Sequence, residues 1–109
     1  MYDFEDGKGP VAANQHPNGG GWVADTASVD ASAYVGPDAK VFGYAWVSDN
    51  AKISGKAMIF GYANVFGDVC VYDNAMVYGY AKVYGNAKIF GNVKLFGTTK
   101  VFGDIKLYA

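Results

Sequence analysis

The sequence is poor in the residues on which most sites are built. It has one cysteine, Cys70, and one histidine, His16. A lone cysteine closes no intramolecular disulfide, so the expected setting is a reducing, cytoplasmic one. No stretch is apolar for long enough to span a membrane, and no signal-peptide pattern opens the chain, so no membrane association is expected. Charge of one sign is also missing: nine lysines face ten acidic residues, a formal net charge of −1. That balance excludes a strongly basic nucleic-acid binder and an acidic mimic of DNA. Gly19-Gly20-Gly21 lacks the Lys-Ser/Thr of a phosphate-cradling loop and reads as a lead-in.

What the chain has in abundance is one six-residue unit. Small residues recur at Ala27, Ala33, Ala39, Ala45, Ala51, Ala57 and Ala63, then at Val69, Ala75, Ala81, Ala87, Val93, Thr99 and Ile105. An aliphatic follows two positions later, from Val29 and Val35 to Val101 and Leu107. Small, outward, aliphatic, outward is a period of two, which marks a strand with one buried face. Glycine usually holds the fifth slot, where the chain must turn a corner. Asp49 and Asp73 replace it in two units. So short a strand buries its apolar face only by stacking on copies of itself. Tyr44, Tyr62 and Tyr80 fill the sixth slot at intervals of 18 residues. Three units therefore make one triangular coil. The expected fold is an all-β, single-stranded parallel β-solenoid of about five coils over residues 21–109. Residues 1–20 are expected to be an irregular cap or lead-in folded over its top.

This pattern resembles the hexapeptide-repeat proteins, a superfamily of trimeric acyltransferases built on a left-handed parallel β-helix. The small-x-aliphatic part matches at nearly every unit of residues 27–109. The glycine, in contrast, falls two residues after the aliphatic. The type seen in Gly85–Phe90 is similar to uncharacterised bacterial and prophage hexapeptide proteins labelled as acyltransferases. The resemblance implies a left-handed coil. It also implies a histidine on the coil as general base, or three histidines for the zinc-dependent relatives. His16 lies outside the coils and has no histidine partner, and the family's C-terminal helix and projecting loop are missing. The reading is therefore a non-enzyme with no catalytic, metal or cofactor residues.

Outward slots carry the functional expectation. Lysines at Lys40, Lys52, Lys82, Lys88, Lys94, Lys100 and Lys106 share parity with a series of aromatics, so both point out. One face aligns Phe42, Phe60, Tyr78 and Phe96 beside Lys40, Met58, Met76 and Lys94, and Tyr44, Tyr62 and Tyr80 stand on the corner that follows. Such a strip predicts a subunit or partner interface. A second, end-to-end contact is predicted at Phe102, Ile105, Leu107 and Tyr108, where Val93, Thr99 and Ile105 could also plug the core. Residues 1–54 carry a net charge of −4 and residues 55–109 carry +3, a split that could steer head-to-tail stacking. The leading expectation is a self-assembling or partner-binding module, a homodimer or homotrimer, with a phage or prophage protein that blocks a host factor as one form of it. The alternatives are an extended glycan on the aromatic ladders and an acyltransferase-like enzyme. Single-stranded nucleic acid is the weaker candidate at this net charge.

Overall fold

The computed structural model describes residues 1–109 and is all-β. Its strands are β1 (Tyr2–Asp3), β2 (Pro10–Val11), β3 (Ala13–Gln15), β4 (Trp22–Ala24), β5 (Ser28–Val29) and β6 (Tyr34–Val35). There follow β7 (Lys40–Val41), β8 (Trp46–Val47), β9 (Lys52–Ile53), β10 (Met58–Ile59), β11 (Asn64–Val65) and β12 (Cys70–Val71). The last are β13 (Met76–Val77), β14 (Lys82–Val83), β15 (Lys88–Phe90), β16 (Lys94–Leu95), β17 (Lys100–Val101) and β18 (Lys106–Tyr108). From β4 onward each strand pairs in parallel with the strand three further on. Met58 stands over Met76 and Val65 over Val83, so one turn takes 18 residues. Three sheets result: β16-β13-β10-β7-β4-β3, β17-β14-β11-β8-β5 and β18-β15-β12-β9-β6. The chain is a β-solenoid of about five coils.

The core follows the repeat. The small residues from Ala33 to Ala87 and the aliphatics from Val35 to Ile89 are buried and form one column. Alanine leaves room at the triangle's corners while valine and isoleucine fill its centre, so each coil covers the next. Each outward slot sends its amide to the coil below, as Asn64 does to the Ala81 carbonyl and Phe66 to that of Val83. Corners are equally tight. Gly61 has φ +68°, and a Cβ there would lie 2.9 Å from the Gly79 nitrogen. Only glycine meets both conditions without strain.

Residues 1–20 differ from the expected irregular lead-in. β1 and β2 form an antiparallel hairpin, and β3 adds antiparallel to β4 as the top strand of its sheet. Over β6, Val35 donates its amide to the Asn18 carbonyl, and Gly21 donates to that of Val35. The top of the rod is thus covered on two of its three sheets. At the bottom, Thr99 and Ile105 do not plug the core: both are exposed, Ile105 by 41%. Each heads a rung with no coil beneath it to bury its side chain.

Candidate interaction face

The face bearing the methionines is the outer side of the sheet β16-β13-β10-β7-β4. The pleat sends the second and fourth slots outward, and the parallel register stacks equal slots vertically. Lys40, Met58, Met76 and Lys94 form one column by register. Phe42, Phe60, Tyr78 and Phe96 form the next. Their rings stack at centroid distances of 4.8, 4.8 and 5.5 Å, nearly parallel in the first two pairs. On the adjoining corner Tyr44, Tyr62 and Tyr80 stack at 5.3 and 5.2 Å. Each such pair contributes on the order of 0.5–1.5 kcal/mol beyond its area burial, so the ladder also holds coils together.

The chain's own N-terminus changes which part of this strip is open. Phe42 is 5% exposed, because Phe4 stacks on it at 4.7 Å. The reason is local. The fourth slot above Phe42 is Ala24, too small to be a rung, and Phe4 supplies the missing ring. Two residues earlier, Tyr2 stacks on Trp22 at 4.6 Å, with the Lys40 Nζ over its ring at 5.5 Å. Alternate side chains of the arm thus enter the slot-two and slot-four columns. Phe42 is therefore not part of the exposed strip expected from the sequence; it is a core residue of a small second cluster. The open strip begins at Met58 and Phe60, which with Met76 and Tyr78 are half-buried. Tyr44, Tyr62, Tyr80 and Phe96 are exposed.

Where the arm ends, a groove of about 390 Å³ runs along it. Phe4, Glu5 and Asp6 form one wall, and Phe42, Met58, Phe60 and Met76 form the floor. Asp6 also borders the channel between the phenylalanine column and Tyr44 and Tyr62. Glu5 and Asp6 therefore stand beside the apolar strip, with Lys8 next to Asp6 on the Tyr44 side.

The other faces carry shorter ladders: Phe66–Tyr84–Phe102 and Tyr72–Phe90–Tyr108. Phe102 and Tyr108 are their lowest rungs, 58% and 70% exposed. With Ile105 and the half-buried Leu107 they surround the lower edges of β17 and β18, which carry no further strand. His16 lies at the opposite end. Its ring is buried, and Nε2 is 2.8 Å from the Ala33 carbonyl oxygen. That contact ties the cap to the first full coil. Cys70 is half-buried between Lys52 and Lys88 in register.

Two features escaped sequence reasoning. Trp46 is 60% exposed on the second sheet, between Ser28 and Asn64. Its outward slot was readable, but a single ring in a polar column gives no periodic signal. The arm's seat was signalled by Tyr2 and Phe4 spaced like the columns Trp22 and Ala24, a match that only the fold makes visible. No family model, curated protein or solved structure matches the chain.

Proposed function

We propose that the protein is a non-catalytic β-solenoid that works through its outer surface, as a self-assembling or partner-binding module. A phage or prophage protein that occupies a host protein is the biological form this suggests, on the sequence resemblance. The observation that carries the reading is the strip of Met58, Phe60, Met76 and Tyr78, flanked by Tyr62 and Tyr80 on the corner and left open directly below a segment where the chain covers the two main columns with its own Tyr2 and Phe4. A surface that binds aromatic side chains in cis has the chemistry to do so in trans. Methionine and tyrosine are also the residue types enriched at interface centres.

The glycan alternative draws less support. Sugars pack on ring faces, and in these ladders the faces are already taken by neighbouring rings some 5 Å away. An acyltransferase reading lacks a base on the coils, since His16 is buried in the cap with its Nε2 bound to a backbone carbonyl.

Light scattering of the wild type against a Met76→Lys, Tyr62→Ser double variant tests the reading. The expected result is loss of association with the β-sheet circular dichroism unchanged. Lost stability with unchanged association would mean that the columns serve only coil stacking.

A further inference from the structure

We propose that the partner on this face is a second copy of the chain, packed antiparallel about a two-fold axis at Met76, so that the lowest rung of one copy enters the acidic groove beside the other's arm. The inference rests on the proposed role of the strip and specifies its occupant. Three observations lead to it. The first is shape. The arm raises the upper part of the face by one layer, while the rungs of Met76 and Lys94 stay bare. Two such stepped faces fit together only if one is turned over, so that each arm lies past the last rung of its partner. The second is register. A two-fold axis at Met76 places the rung of Met58 and Phe60 opposite that of Lys94 and Phe96 of the partner subunit, and Met76 opposite its own copy. Phe96, 56% exposed, ends its ladder, and its one free ring face points down the rod to where the partner's arm lies past this last rung.

The third observation is charge. The groove wall carries Glu5 and Asp6, and the rung brought to it carries Lys94. A parallel arrangement would set arm against arm and repel. The antiparallel one brings the Lys94 of each copy toward Glu5 and Asp6 of the other. The three rungs from Met58 to Lys94 at ~4.8 Å, roughly 20 Å wide, offer on the order of 300 Å² per copy. A stable interface uses about 800 Å² per partner. The strip alone falls short, and the arm's flank supplies the further surface.

The test is a charge exchange read by sedimentation. Glu5→Lys and Lys94→Glu are each expected to raise the dimer dissociation constant about tenfold, because a symmetric dimer contains each substitution twice. In the double variant the introduced lysine of one copy meets the introduced glutamate of the other, and the constant should return to within about threefold of wild type. Lys94 does not line the groove of its own chain, so recovery of dimerisation at unchanged melting temperature reports a contact between copies. Losses that add in the double variant would overturn the antiparallel arrangement. If Met76→Lys, Tyr62→Ser still abolished the dimer, the strip would stand as the interface without it. A wild type that stays monomeric at high micromolar concentration would overturn the second-copy assignment, and leave the strip to be judged by binding to a different protein.

Discussion

At the scale of single residues the corners are the most exacting places in the molecule. Most are glycine with φ near +60 to +80°, but Asp49 and Asp73 hold the same conformation at φ +58° and +60°. Each carboxylate has a specific task. Asp49 accepts the amide of Gly67 at 3.1 Å and Asp73 that of Gly91 at 3.1 Å, one coil below in each case. Aspartate thus gains a hydrogen bond between coils that offsets the cost of a left-handed conformation. Asp49→Ala keeps the conformational cost and loses the bond, so a loss of about 1–2 kcal/mol is expected. Asp49→Gly loses the bond but relieves the backbone, and should cost less than half as much. Thermal unfolding followed by circular dichroism separates the two. Equal melting temperatures for wild type and the alanine variant would show that the carboxylate contributes nothing.

At the scale of the strand, stability comes from repetition. Val65 and Val83 are fully buried and stand one above the other between coils. Val65→Asp places a charge where no partner exists, at a cost of several kcal/mol, and the domain is expected to lose its β-sheet signal. Retention of that signal would contradict the inward assignment. This much was legible in the sequence because the period of two and the eighteen-residue tyrosine spacing are both local and repeated. Met58, Met76, Phe60 and Tyr78 were placed on one face by the same arithmetic. The arm was not legible, because nothing local records where Tyr2 and Phe4 come to rest. Their seat is made by Trp22, Ala24 and Phe42, which lie 18 or more residues away in sequence and meet only once the first coils have formed. Phe42 changed from an exposed residue to a buried one for that reason alone. Likewise, Thr99 and Ile105 differ from the alanines they replace in size, but size alone does not bury a residue on a rung with nothing below it.

At the scale of the whole molecule the two ends of the rod are unequal, and this sets lateral against end-to-end association. At the top the upper edges of β4 and β6 are already bonded to β3 and to residues 18–21. A bottom edge from another copy could continue the coil only by displacing them. At the bottom, Met76 and Tyr78 donate their amides to the carbonyls of Val93 and Leu95, but β16 and β17 have no strand beneath them. The amides of Lys94, Phe96, Lys100 and Phe102 should therefore exchange with deuterium far faster than those of the middle coils. The middle is expected to report the stability of the whole stack, because opening one coil there uncovers two neighbours. Raising the protein concentration then distinguishes the two modes of assembly. An end-to-end contact around Phe102, Ile105, Leu107 and Tyr108 would pair those strand edges and slow exchange at Lys100 and Phe102. A lateral contact buries side chains and leaves the edge amides without acceptors. The expected outcome is that Lys100 and Phe102 stay fast at concentrations where light scattering reads a dimer, while Phe96 and the Met76 side chain change environment in NMR spectra. Slowed exchange at Lys100 and Phe102 in step with dimerisation would instead place the contact at the end of the rod, and the aromatic strip would then be a stabilising ladder with its outer edges in water.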